Sequence, residues 1–362
     1  MAKRLALYDL THLQLAELLT GWGEPRFRAD QIWHWLYRSL VQDFDAMGNV
    51  PAALRARLAR ETDLGLLTPV AEQASTTGQT RKALLRLRGG VTIESVLMAY
   101  ERGHTACIST QAGCGMGCTF CATGQGGLAR NLSAGEIVAQ VLFFAREIRQ
   151  TESGPTGAQA GQGHPIANVV LMGMGEPLAN YAATWQAIET LSDERGYNLG
   201  ARRITLSTVG LVPGIRRLAE EELPINLAVS LHAADDELRN HLVPASRRYP
   251  LAELMKAIQA YVLKTRRRVT FEYALISGLN DQPEQARKLA RLLQGILSHV
   301  NLIPLNPTPG SGMLPSPRER VDAFREELEA AGIPTTVRMR RGIDIEAGCG
   351  QLRQRVTGID AR

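Results

Sequence analysis

The sequence predicts an α/β protein: a parallel barrel, complete or partial, behind a small helical domain. Three observations predict it. From about residue 103 onward, apolar strand-like runs alternate with helical stretches, the pattern of repeated βα units. Residues 1–70 carry helical apolar spacing instead. Between the two, strand-like runs fold about Gly89-Gly90.

In chain order, Leu13, Leu15, Leu18 and Leu19 form a first helical stripe, closed by the turn Gly21-Trp22-Gly23-Glu24-Pro25. Ala29–Tyr37 and the stretch from Pro51 through Leu58 continue it. This helical accessory domain suits nucleic acid; Trp33 and Trp35 could stack on bases, although packing in a small core is the stronger expectation. Residues 71–100 are expected as a β-hairpin connector, Lys82–Arg88 and Val91–Met98 flanking the turn. The main domain, 101–343, should place strands at Thr105–Thr110, Asn168–Met172, Arg203–Ser207, Ile225–Leu231, Val269–Ile276, Val300–Pro304 and Thr335–Met339. Helices fit between them. The clearest starts at Ser133, with Glu136 completing a capping box. Residues 151–165, rich in Gly, Ala, Gln and Ser, read as a surface loop, and 344–362 as a C-terminal segment with its own cysteine loop.

Composition sets limits. At 362 residues and 44% hydrophobic, the chain can build a proper core. Five cysteines are too few for a disulfide scaffold, and their clustering argues for chemistry in a reducing compartment. No apolar run is long enough to span a bilayer. Acidic Asp9 arrives before any long apolar stretch, so no secretory signal is read and a cytoplasmic protein is expected. The net charge is +5. Basic runs at Arg202-Arg203, Arg247-Arg248, Arg266-Arg267-Arg268 and Arg338-Met339-Arg340-Arg341 suit a polyanionic partner such as RNA.

The chemistry gathers at Cys114, Cys118 and Cys121. Iron–sulfur clusters normally take four thiolates. Three on one loop leave an iron open to a small molecule. Structural zinc with His104 as fourth ligand is the alternative, but the histidine spacing is wrong and no second CxxC-like half exists. In parallel βα folds, function collects at the C-terminal strand ends. Gly173-Met174-Gly175-Glu176-Pro177, Ser207, Ser230-Leu231-His232 and Asn306 all fall there. Each alone has a plainer explanation as a turn, a cap or a packed histidine. Together they offer the polar rim that a bound cofactor requires. Cys107 alone reads as a buried thiol. Cys349, between Gly348 and Gly350, reads as a thiol on a tight or mobile loop.

The CxxxCxxC loop resembles that of radical S-adenosylmethionine enzymes. Further pieces make the resemblance specific: Cys107-Ile-Ser-Thr-Gln-Ala-Gly-Cys114, Arg130-Asn131-Leu132, Gly173–Pro177, Leu206-Ser-Thr208, Ser230–His232, Asn301–Pro307 and Ala347-Gly-Cys-Gly-Gln351. In this order they resemble the RlmN/Cfr family of RNA adenosine methyltransferases, the RlmN branch most closely. Leu128 departs from the family pattern, which has an aromatic there.

The resemblance implies a partial (βα)6-type barrel of radical SAM type. It implies a [4Fe-4S] cluster on Cys114, Cys118 and Cys121. It also implies S-adenosylmethionine, two per turnover, held by Gly175, Glu176, Ser207, Ser230, Leu231, His232 and Asn306. The implied reaction is methylation of adenine C2 in 23S rRNA at the peptidyl-transferase region, and of the adenosine 3′ of the tRNA anticodon. Cys349 would carry a methyl group and bond covalently to the base. Glu94 would remove the C2 proton, and Cys107 would release product by forming a disulfide with Cys349. Without the resemblance, Glu94 reads as an exposed strand carboxylate sharing a face with Thr92 and Val96, and Glu101 is a local alternative base. The closest competing reaction is the Cfr-like one at adenine C8. An external electron donor, flavodoxin-like or similar, is implied, and a monomer is expected.

Overall fold

The computed structural model describes residues 4–152, 165–308, 311–338 and 351–352. Its N-terminal helices are α1 (His12–Gly21), α2 (Phe27–His34) and α3 (Ala52–Glu61). Thr11 and Gln14 cap α1 reciprocally. Two short parallel strands, β1 (Leu5–Ala6) and β2 (Thr62–Asp63), tie the ends of this unit together. Trp33 is buried against Tyr37 and His12, as its packing role predicts, while Trp35 is half-buried and bonds Asn49.

A ten-stranded sheet follows. Strands β3 (Thr68–Ala74), β4 (Thr80–Arg86), β5 (Thr92–Tyr100) and β6 (Gly103–Cys107) are antiparallel in sequence. The connector therefore has three strands and extends the main sheet directly. At its tight turn, Gly89 and Gly90 both adopt positive φ, 84° and 88°, which glycine alone takes at little cost.

From β6 the sheet turns parallel, through β9 (Ile166–Leu171), β10 (Ile204–Thr208), β11 (Asn226–Ser230), β12 (Val269–Leu275), β13 (Ser298–Pro304) and β14 (Thr335–Val337). The intervening β7 (Gln111–Gly113) and β8 (Leu128–Asn131) form a separate two-stranded ribbon around the cysteine loop and its short helix α4 (Ala122–Gln125). Six βα units carry α5 (Ala134–Glu152), α6 (Tyr181–Ser192), α7 (Val212–Leu218), α8 (Asp236–Leu242) with α9 (Leu251–Thr265), α10 (Pro283–Leu293) and α11 (Arg318–Ala330). Among the described residues β14 and β3 are the two edges, so the barrel is partial.

The predicted strands match to within one to three residues at most ends, because each is a short apolar run bounded by turn residues. Ser133 caps α5 as read: its Oγ accepts from Glu136 N–H at 3.2 Å, and the Glu136 carboxylate accepts from Ser133 N–H at 3.1 Å. The core runs between the outward strand faces and the helices, through Ile137, Val141 and Phe144 of α5, Leu206, Val229 and Phe271 of the strands, and Phe324 of α11.

The helical domain docks on α5. Buried Arg146 donates to Leu40 O at 2.9 Å and Tyr8 Oη at 2.6 Å. Asp9 accepts from Gly135 N–H at 2.9 Å. A Cβ on Gly135 would lie 2.6 Å from Tyr8 C, so this contact requires glycine.

Candidate active site

The cysteine loop lies across the C-terminal strand ends. Gly113, at φ 89°, brings the chain so close to Gly127 that a Cβ would meet its carbonyl oxygen at 2.0 Å. Cys114 N–H then bonds that same oxygen at 2.8 Å. Cys118 sits in an apolar cluster with Leu242, Val243, Ile276 and Leu305. Thr119 N–H donates to Leu242 O at 3.0 Å. Phe120 meets the His232 ring edge-on at 4.9 Å.

Burial pushes the Cys114 thiol up to about 12, with charges on Cys121 and Glu176 adding to it. The Cys118 thiol is also pushed well above its ordinary value, by burial first and then by Cys121 and Cys114. Three soft ligands thus crowd one site that resists negative charge. A cationic iron centre reverses that penalty, so the donor set fits a thiolate-bound cluster.

The other rim residues lie at the strand ends, with unexpected partners. Glu176 is buried; its two oxygens accept from Leu178 N–H at 3.0 Å and Val209 N–H at 2.8 Å. Burial raises its carboxyl to about 7, while these backbone bonds pull it down. Glu176 therefore staples the loop after β9 to the end of β10. The close approach allowed by Gly173 and Gly175 is to protein: their Cβ atoms would lie 2.7 Å from Ile108 C and 2.6 Å from Gln111 Cβ. Ser207 and Ser230 face each other, Oγ to Oγ at 3.4 Å, both half-buried. Asn306 is half-buried just past β13.

His232 takes a left-handed φ of 63°, which for a non-glycine residue marks a constrained site. Its Nδ1 accepts from Ala274 N–H at 3.0 Å, which places the ring proton on Nε2. Burial lowers its pKa to about 3, so the imidazole is neutral. Arg239 and Asn280 support this turn. Arg239 donates to Leu231 O and Val209 O, and Asn280 to His232 O and Ala274 O.

Glu94 lies on the inner sheet face, with Val96 and Met98. It is buried, contrary to the reading from residue type alone, because Lys82 neutralises it: Nζ lies 3.2 Å from Oε2, with both side chains at or below 1% exposure. Cys107 stands directly opposite Val96 across the strand pair and packs with Val96, Met98, Val170 and Met172. Glu101 lies in the exposed turn beyond β5. Cys349 lies outside the described residues, as do 153–164 of the glycine-rich loop. Gln351, two residues beyond Cys349, donates to Pro307 O at 2.8 Å, next to Asn306.

Lys82, Phe120, Arg239 and Asn280 escaped sequence reading. Lys82 was recoverable. The Gly89-Gly90 turn pairs Lys82 with Val96 and Leu84 with Glu94, so Lys82 and Glu94 are diagonal neighbours on one face.

Comparisons with known proteins agree with this geometry. Residues 5–64 match the family described as "Ribosomal RNA large subunit methyltransferase N-terminal domain". Residues 108–290 match the radical SAM superfamily. A probable dual-specificity RNA methyltransferase RlmN of Chloroflexus aurantiacus is 55% identical, covering 96% of this chain and 92% of its own length. The dual-specificity RNA methyltransferase RlmN 1 of Myxococcus xanthus is 53% identical, covering 97% and 94%. The chain belongs to the RlmN family. A crystal structure of a radical SAM methyltransferase from Sphaerobacter thermophilus superposes with a TM-score of 0.90 at 53% identity, over 96% of this chain and 98% of that one. The RlmN-type chain described here is thus a radical SAM RNA methyltransferase with a partial parallel barrel and an N-terminal accessory domain. Among the described residues, no helix is long and apolar enough to cross a membrane.

Proposed function

We propose that this enzyme methylates adenine C2 in 23S rRNA, and in tRNA the adenosine 3′ of the anticodon, through a methylated Cys349. One observation carries the reading. Glu94 and Cys107, the residues assigned to proton removal and product release, share the inner sheet face. They sit on adjacent strands, with Val96 and Met98 on the same face.

Cys114, Cys118 and Cys121 would hold the cluster. When bound, the cluster and S-adenosylmethionine supply the radical chemistry that an electron-poor, non-acidic C–H position demands. Ser207, Ser230 and Asn306 offer neutral hydrogen-bond groups to the cofactor's carboxylate and sugar. His232, fixed as the Nε2–H tautomer, offers a donor and no charge. Glu94 would serve as the proton acceptor in a dry site, held there by Lys82. Cys107 waits as a buried thiol, shielded by Met172 and Val170 until the covalent step exposes it to Cys349. Gln351 anchors the C-terminal chain beside the rim, within a short reach of Cys349.

Anaerobic reconstitution with 23S rRNA and tRNA separately, followed by nucleoside mass spectrometry, tests the reading. 2-Methyladenosine is expected from both; 8-methyladenosine as main product would refute the C2 assignment. Cys349→Ala must abolish transfer to RNA, and activity retained there would refute the covalent route.

A further inference from the structure

Part of the C-terminal rim is covered by the chain itself, among the described residues. Phe120 covers His232, and Thr308 Oγ1 donates to Phe120 O at 3.3 Å. Met116, Met313 and Leu238 pack around the same cluster.

At the opposite end of the barrel a cavity of about 590 Å³ opens at the N-terminal ends of the strands. Its wall includes inward-facing Thr205, Asn226, Thr270, Glu272 and Asn301, and four arginines line it: Arg266, Arg267, Arg268 and Arg338.

The arginines differ in their commitments. Arg267 is used by the fold, donating to Ile225 O at 3.0 Å and Asn226 Oδ1 at 2.9 Å. Arg266 and Arg268 are exposed and make no ion pair among the described residues. Arg266 also ends α9 in the left-handed conformation, φ 57°. Glycine is the natural occupant of such a helix end. Arg266 thus places a long cation, with no ion pair among the described residues, at a backbone position that favours glycine.

Deeper in, the cavity connects with the proposed reaction centre. Met172 and Val170 belong to its wall and also pack against Cys107, Val96 and Met98. Two wall residues of the arginine-lined cavity are therefore in direct contact with the Cys107 cluster.

We propose that the target adenosine enters the barrel through this N-terminal mouth, with Arg266 and Arg268 gripping the phosphates on either side of it. The inference rests on the RNA-substrate reading and adds the route and the residues. The chemistry recognised is a single-stranded phosphodiester around an unstacked base, as base-modifying enzymes require.

Binding and base insertion are measured separately on the full chain with its cluster reconstituted. The probe is a 23S rRNA hairpin carrying 2-aminopurine at the target position. Arg266→Gly combined with Arg268→Gln should weaken binding about tenfold. It should also lower the salt slope by roughly 1.4, two contacts at about 0.7 each for a single strand. Arg266→Gly alone should leave the melting temperature equal or higher, because glycine accepts this φ freely. Arg318→Gln, which removes an exposed charge facing Asp322 on α11, should change neither quantity. Thr205→Phe, which narrows the mouth, should keep RNA binding but lose the 2-aminopurine signal of unstacking.

An unchanged affinity and salt slope in the double variant would overturn the phosphate grip. An unchanged 2-aminopurine signal in Thr205→Phe would overturn the entry route. Formation of 8-methyladenosine by the unaltered enzyme would overturn the C2 assignment alone and leave this inference standing.

Discussion

Replacing Lys82 with methionine tests the buried pair on which Glu94 depends. Nζ and Oε2 lie 3.2 Å apart, and neither side chain reaches water. Methionine keeps most of the volume and removes the charge. The carboxylate is then buried without its cation, a change that costs about 3–5 kcal/mol. Unfolding entropy near 2.1 cal/mol/K per residue gives, over 362 residues, about 0.8 kcal/mol per kelvin. The expected fall in melting temperature is therefore roughly 4–6 °C by calorimetry. The companion variant Lys82→Met/Glu94→Leu removes both charges and should recover most of that loss, since apolar replacement of a buried pair is often neutral or stabilising. RNA methylation should be lost in the double variant although the fold is restored. A melting point within 1 °C of the unaltered protein for Lys82→Met alone would refute the pairing of Lys82 with Glu94.

Three further outcomes are expected. His232 is held neutral down to about pH 3 by burial, while the unfolded chain protonates it near 6.5. Its contribution is thus fully present above pH 6.5 and declines as pH falls toward 3, and His232→Asn should flatten that acid limb in a denaturation series. Gln140 accepts from Ser95 Oγ at 2.6 Å and Ser109 N–H at 2.8 Å, and donates to Ser109 O at 2.9 Å; Gln140→Leu leaves these groups unpaired and should lower chemical-denaturation stability by about 1–3 kcal/mol for each. Gly135→Ala drives a methyl group into Asp9 and Tyr8, so limited proteolysis should cut between the helical domain and the barrel faster than in the unaltered chain, with overpacking of about 1–3 kcal/mol behind it.

The parallel strands were legible because each is a self-contained apolar run, and α5 because its capping box is local. What the sequence hid was long-range. Strand β3 contains Pro69 and few β-branched residues, so it forms only as an edge, held by β4. The ribbon β7–β8 is three and four residues long and exists because Gly113 allows contact with Gly127. Cluster and rim residues were visible as residue types at strand ends. Their partners were not: the Val209 amide on Glu176, the Ala274 amide on His232 and Lys82 on Glu94 come from distant parts of the chain. A carboxylate on a strand reads as solvated until the sheet supplies its counter-charge.

Strand β5 pairs with β4 from Thr92 to Met98 and with β6 from Val96 onward, and Glu94 O accepts from Ser109 Oγ at 2.6 Å. The backbone carrying Glu94 is thus held on both sides, and Lys82 Nζ at 3.2 Å holds its carboxylate. In the proposed reaction, selectivity between ring carbons then belongs to the guest: whichever edge the purine turns toward a stationary oxygen is the edge that loses hydrogen. Evolving an enzyme of this build from one carbon to the other would mean rotating the purine in its seat while leaving Glu94 untouched.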